Sequence, residues 1–273
     1  MHKIGVLYHP RVPATLEAAQ QIRESLAQSG VSVWVASAWD EDDARRSLDG
    51  TDALISLGGD GTILRAARIG VERGVPIAGV NYGRVGFLSE YQPQDVPRCL
   101  SDLLEGRYWL DERMMLHCEL WRAGKILVHY DALNDVVIGR GTVARVVRLR
   151  LSVDGQLPIR LVADGVIVST PTGSTAYTVA AGGPIADPRV RVILVTPIAP
   201  HLSVLGSLVL PDTSTIEIAV DSDYPALVSM DGQIEMAMEA NDVVRVKTSR
   251  YVSRFVRTQS QEYFYTALTK RFA

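Results

Sequence analysis

Cysteine is nearly absent. Cys99 and Cys118 stand without CxxC spacing or a neighbouring histidine pair, which argues against a disulfide framework or a zinc site and fits a reducing cytoplasm. Basic residues are in no excess either: 28 Lys and Arg against 31 Asp and Glu leave a net charge of -3, with no electrostatic reason to expect a nucleic-acid partner. Long apolar runs are missing. The longest, Val192 to Leu210, is broken by Pro197, Pro200 and His201, whereas a membrane helix needs about 20 apolar residues. The start of the chain has no charged n-region and no small-residue cleavage site, so no signal peptide is expected. No Gly-Lys-Ser/Thr, complete GxGxxG or GxSxG occurs, and none of the 5 histidines sits in a catalytic partner motif. A P-loop enzyme is thereby excluded, and Ser174 is not expected to be a nucleophile.

What is present reads as a globular chain, 47% hydrophobic over 273 residues, long enough for two domains. From Lys3 to about Tyr108, β-branched runs (KIGVLY, VSVWVA, DALISL, VPIAGV) alternate with helical patterns, the signature of βαβ units on a parallel sheet. One helix is predicted over Thr15 to Gln28, with Leu16, Ala19, Ile22 and Leu26 inward and Gly30 as its stop. Another should begin at Thr62. A third should follow Gln94, capped by Asp95, with Leu100, Leu103 and Leu104 on one face. Beyond about Leu110, hairpin signals at Ala123-Gly124, Asp154-Gly155 and Asp231-Gly232 predict a mostly β second half. Thr172 to Gly182 should be a loop opening a short helix, and Glu262 to Phe272 a terminal helix. The expected boundaries are an α/β domain over 1–110 and a β-rich domain over 111–254.

The segment DALISLGGDGTILRAA places Gly58-Gly59-Asp60-Gly61 between an apolar strand and a helix, at the strand end where ligands bind in parallel sheets. Glycine N-H groups and the helix N-terminus suit a phosphate. Asp60 does not fit a plain phosphate cradle, because like charges repel. A carboxylate there needs a task, either holding a metal or accepting a hydroxyl proton. With an ordinary pKa of about 3.9 it is a feeble base, which is enough for the loose transition state of phosphoryl transfer. Arg65, one turn later, reads as a phosphate contact or a solvated helix residue. The competing reading of the whole turn is a tight connection with Asp60 as an N-cap.

Other polar clusters follow. In NYGRVGFLSE, Gly83 and Gly86 would let backbone approach a ligand, with Phe87 as an apolar wall. Asn134 and Asp135 stand at a strand edge, where an amide can pair with adenine and a carboxylate can accept from ribose hydroxyls, or where they simply form a turn. Along the strand near 144–153, Arg148 and Arg150 share a solvated face, while Arg145 opens the apolar face and must meet an anion or lie at the rim. ADGVIVSTPTGSTAY carries Asp164 at its start and Thr172, Ser174, Thr175 and Tyr177 at its end, a hydrogen-bonding wall for a nucleotide or an ordinary helix cap.

Taken together, GGDGT at Gly58 to Thr62, NYGRVGFL at Asn81 to Leu88, Asn134-Asp135, and DGVIVSTPTGSTAY with GGPI at Asp164 to Ile185 closely resemble the NAD kinase family. GGDG alone is shared with lipid kinases and phosphofructokinases; the Asp164 to Tyr177 motif is more specific. The resemblance implies a Rossmann-like α/β domain completed by 255–273, a tail helix returning to it, and a β-rich NAD-binding domain. It implies phosphorylation of the adenosine 2′-hydroxyl of NAD by ATP or polyphosphate, with Mg2+ held mainly by the donor phosphates and no dedicated protein metal ligands. It implies Asp60 as the proton acceptor, Gly61 beside it and Arg65 on a phosphate. Asn134 and Asp135 match the pair that holds adenosine. Arg145, Asp164, Thr172, Thr175, Ala176, Tyr177, Thr178, Val179, Ala180, Ala199 and Gln233 match NAD-contacting positions. It also implies a cytoplasmic homodimer or homotetramer without membrane or nucleic-acid partners. Two departures stand out: many members carry Asn-Glu where this chain has Asn134-Asp135, and Arg where it has Val162.

Overall fold

The computed structural model describes residues 1–83, 86–141, 146–156, 159–201, 206–221 and 225–272, with side chains through Thr269. Two compact units are present: Met1–Glu112 with Val252–Ala273, and Arg113–Tyr251.

The first unit begins β1 (Lys3–Tyr8), α1 (Pro13–Gln28), β2 (Ser32–Ser37), α2 (Glu41–Ser47), β3 (Ala53–Gly58), α3 (Asp60–Gly70), β4 (Ile77–Asn81) and α4 (Val96–Glu105). β1 pairs in parallel with both β2 and β3, and β3 with β4, giving the order β2-β1-β3-β4. Phe255, near the end of the long strand Val243–Arg257, then pairs in parallel with Ile77 of β4. A last helix runs over Tyr263–Phe272. Ile4, Val6, Ile22, Leu26, Ile55, Leu57, Val80, Tyr91, Leu103 and Val256 share one core. The βαβ pattern thus yields the expected α/β architecture, because strands buried on both faces are apolar throughout and their helices bury one stripe.

Three local expectations need correction. Leu16 is 40% exposed, and Thr15 takes the inward place instead, its hydroxyl donating to His9 O and Val12 O. α3 starts at Asp60 rather than Thr62, so the acidic residue lies in the helix's first turn. Asp95 does not cap α4 with its side chain; its carboxylate accepts from Gln92 N at 3.0 Å, one turn earlier, in a capping box. The short α2, capped by Asp40 accepting from Asp43 N, has too few turns to leave a periodic pattern in the sequence.

The second unit is β-rich. Its strands continue as β5 (Trp109–Arg122, crossing the unit boundary), β6 (Lys125–Ala132), β7 (Asp135–Arg140), β8 (Val147–Val153), β9 (Ile159–Ala163), β10 (Gly165–Ser169), β11 (Val192–Ile198), β12 (Leu208–Pro211), β13 (Ile216–Val220), β14 (Ala226–Met230), β15 (Ile234–Met238) and β16 (Val243–Arg257). One antiparallel sheet runs β12-β11-β10-β7-β14-β15; β16-β13-β8-β9 and the hairpin β5-β6 form the other layer. Leu116, Val136, Ile138, Leu149, Val166, Val168, Ile218, Val228 and Val246 fill the space between them. At each of the three hairpin signals both residues have positive φ: Ala123 48° and Gly124 76°, Asp154 52° and Gly155 70°, Asp231 51° and Gly232 61°. Cys99 and Cys118 are free thiols, one in each core. No described helix is long and apolar enough to cross a membrane.

Candidate active site

In the first unit the functional candidates gather at the carboxyl end of β3. That strand is buried at every residue and stops at Gly58, and α3 opens at once with Gly59 extended at the N-cap. The Asp60 carboxylate accepts hydrogen bonds from Phe87 N at 3.2 Å and Leu88 N at 3.4 Å. This contact explains a glycine: a Cβ on Gly86 would stand 1.9 Å from Asp60 Oδ1. Gly86 therefore admits the Asp60 carboxylate, where the sequence suggested room for a ligand. Gly83 instead closes a turn by donating to Asn81 Oδ1 at 3.0 Å. The arrangement fixes a carboxylate beside a helix N-terminus, where partial positive charge also favours a phosphate.

Arg65 is not a freely solvated helix residue. Its guanidinium lies 3.6 Å from Glu41 and 4.4 Å above the Trp39 ring. Glu41 also pairs with Arg68. Next to them a cavity of about 520 Å³ is lined by Pro10, Ser37, Trp39, Asp40, Glu41 and Asp42. Its three carboxylates, Asp40, Glu41 and Asp42, make it hostile to a phosphate chain.

In the second unit the sheet register sorts the candidates into two groups. Ser169 pairs with Asp135, and Met230 with Val136, so Asn134, Asp135, the segment after β10 and Gln233 meet at one end of the six-stranded sheet. Asp231 organises that end. Its carboxylate accepts from Leu133 N at 2.9 Å, Asn134 N at 2.7 Å and Asp135 N at 3.2 Å. Asp135 is 5% exposed, and burial, with the Asp231 charge second, pushes its carboxyl up to about 7.

The segment after β10 is tied to the same turn. Thr170 Oγ1 donates to Leu133 O at 2.6 Å and accepts from Gly173 N at 3.0 Å, while Thr170 N donates to Asn134 O at 2.9 Å. A side chain on Gly173 would begin 2.0 Å from Asn134 O, so this glycine is required by backbone approach. Thr172 Oγ1 accepts from buried Arg113 at 3.2 Å, and Thr175 Oγ1 donates back to Thr172 O. Ser174 Oγ bonds Pro171 O at 2.6 Å and Ala186 N at 3.0 Å, a structural hydroxyl. The short helix Tyr177–Ala180 follows, with Ala176 half-buried before it. Tyr177 and Ala180 are exposed there, Val179 is half-buried, and Thr178 is buried against Ser169.

Asp164 and Ala199 lie at the opposite end, where Gly165 pairs with both Gly139 and Ile198. The length of β10 separates the groups, roughly 13 Å at about 3.3 Å per residue. Asp164 pairs with Arg140 at 3.2 Å, and Ala199 holds an uncommon φ of 42° while exposed. Arg145 lies outside the described residues.

Arg113, Thr170, Asp231 and Arg257 were not singled out by the sequence. Asp231 was legible only as half of a turn dipeptide; its partners are 96 to 98 residues away.

Comparison with known proteins joins both units under one heading. Residues 18–108 match the ATP-NAD kinase N-terminal domain, and residues 133–258 the ATP-NAD kinase C-terminal domain. The NAD kinase of Dehalococcoides mccartyi (strain CBDB1) is 39% identical over 267 residues, covering 97% of this chain and 94% of the relative. That of Syntrophotalea carbinolica is 38% identical over 279 residues, covering 99% and 98%. Among solved structures, yeast NADH kinase complexed with NADH superposes with a TM-score of 0.89 at 27% identity, over 99% of this chain and 87% of that one. The Archaeoglobus fulgidus NAD kinase in complex with ATP superposes with 0.78 at 26%, covering 98% of each chain. The glycine turn and the long motif after β10 thus occur in a chain that matches one enzyme family at both ends and along nearly its whole length, and the chain belongs to the NAD kinase family.

Proposed function

We propose that this enzyme transfers the γ-phosphate of ATP, or a terminal phosphate of polyphosphate, to the adenosine 2′-hydroxyl of NAD, and that Asp60 accepts the hydroxyl proton. The observation that carries this reading is a carboxylate held by two backbone N-H groups in the first turn of a helix, where a simple anion site would have none. The 2′-oxygen forms a bond to the γ-phosphorus, the bond from that phosphorus to the β-γ bridging oxygen breaks, ADP leaves, and the proton passes to Asp60. The helix N-terminus and Gly61 stabilise the charge on the transferred group. A fixed base saves orientation at the moment of reaction.

NAD is assigned to the second unit. Asn134 and Asp135 take the adenosine, and Thr172, Thr175, Ala176, Tyr177, Thr178, Val179, Ala180 and Gln233 surround the rest. Arg65 reaches a phosphate only by leaving Glu41 and Trp39. The solved relatives carrying NADH and ATP support two nucleotide substrates. Mg2+ is assigned to the donor phosphates, since it commonly rests on phosphates with one or two carboxylates. Bound there, it would neutralise donor charge. The separation of Asp164 and Ala199 from the Asn134 group supports a homo-oligomer in which they serve NAD held on a second copy, and Arg145 belongs to the same proposal. A cytoplasmic setting follows from the same reading.

Purified protein with NAD, ATP and Mg2+ should form NADP, with phosphorus NMR showing a 2′-monoester. Absence of NADP with ATP, other triphosphates and polyphosphate, under both Mg2+ and Mn2+, would contradict the proposal.

A further inference from the structure

Arg257 ends β16 with its side chain buried, 7% exposed, far in sequence from every motif of the family. A buried guanidinium needs partners for its donors, and the partners here share one segment. Arg257 Nη1 donates to Leu88 O at 3.1 Å, and Nη2 makes a longer contact of 3.5 Å to Phe87 O. Nε donates to Asp111 at 3.2 Å, and Nη1 also lies 3.4 Å from Glu90. Glu90 is itself fixed, its second oxygen accepting from Thr258 N, Thr258 Oγ1 and Gln259 N at 2.8 to 3.0 Å. On the other side, Glu90 N and Tyr91 N donate to Gly79 O, and Tyr91 O accepts from Asn81 N.

The carbonyls held by Arg257 belong to the two residues whose N-H groups hold Asp60. We propose that Arg257 is a positioning residue for phosphoryl transfer: it clamps the Phe87 and Leu88 peptides so that their N-H groups keep the Asp60 carboxylate in its reactive orientation. Asp111 and Glu90 act one step further back, orienting the guanidinium. The planar fork matters, because a lysine ammonium supplies the charge without simultaneous donation to two carbonyls and two carboxylates. The inference rests on the reading of Asp60 as proton acceptor.

Arg257→Lys tests it. Turnover should fall about tenfold or more, the NAD dissociation constant measured by calorimetry should stay within about twofold, and amide exchange at Phe87 and Leu88 should accelerate. Asp111→Asn, a milder change, should lower turnover about threefold in the same pattern. Should Arg257→Lys fail to fold, Asp111→Asn alone decides. Unchanged turnover, or a loss that follows NAD affinity, overturns the proposal. The two readings fail separately: if Asp60→Asn abolishes turnover while Arg257→Lys and Asp111→Asn do not, only the positioning role is lost; if Asp60→Asn keeps turnover, the acceptor reading itself falls.

Discussion

The two units use the same bond, a backbone N-H donated to a carboxylate, for opposite ends. In the first unit two N-H groups hold Asp60, and the carboxylate itself is the group proposed to act. In the second, the Asp231 carboxylate gathers three N-H groups, and the residues proposed to take the adenosine, Asn134 and Asp135, are among those whose backbone it holds. Removing the acid should therefore abolish chemistry in one unit and architecture in the other. Both units also depend on a glycine at closest approach, Gly86 against Asp60 and Gly173 against Asn134 O.

Among changes that leave the Asp60 carboxylate in the sequence, the largest expected effect is that of Gly86→Ala, whose Cβ must displace the carboxylate or the segment that holds it. Turnover should drop more than about 100-fold, the scale of losing a positioned base, with NAD affinity nearly unchanged by calorimetry. Next, Asp231→Ala leaves three N-H groups without their acceptor. Chemical denaturation should show a loss of about 3 kcal/mol, and the KM for NAD should rise more than that for ATP. A loss confined to turnover would erase the contrast between the units.

Asp135→Asn sharpens it further. A buried carboxyl raised to about 7 keeps its proton in the folded chain where the unfolded chain has lost it, so stability falls as pH rises from about 4 to about 7. Above that range the penalty is complete. The amide that replaces the carboxyl in this variant carries no such charge, so stability should become flat over this interval, with a gain on the order of 2 kcal/mol at pH 8 by thermal or denaturant melts. The smallest effect belongs to Ser174→Ala, which loses the hydroxyl's hydrogen bonds to Pro171 and Ala186 and should cost about 1 kcal/mol of stability while turnover stays within about twofold. A collapse of turnover there would mark Ser174 as a reacting group.

Much of this was legible in the sequence because it is local. The β1 to β4 runs, the three hairpin dipeptides and the glycine turn each carry their signal within a few residues. Leu16 misled because a lone leucine at helical spacing says nothing of whether Thr15 can bury its hydroxyl against two carbonyls. Gly86 was visible as a glycine, while its reason, the Asp60 carboxylate 26 positions earlier in the chain, is a tertiary contact. Asp231 and Arg257 were illegible for the same reason: their partners lie 96 to 98 and 146 to 170 residues away. The split of the NAD-contacting candidates between two sheet ends follows from strand register, which motif order along the chain does not reveal.

The most direct measurement is Asp60→Asn, assayed for NADP formation with NAD, ATP and Mg2+ and for NAD binding by calorimetry on the same preparation. Turnover should fall by roughly 10²- to 10⁴-fold with NAD affinity within about threefold of the parent. Turnover within tenfold of the parent would contradict it.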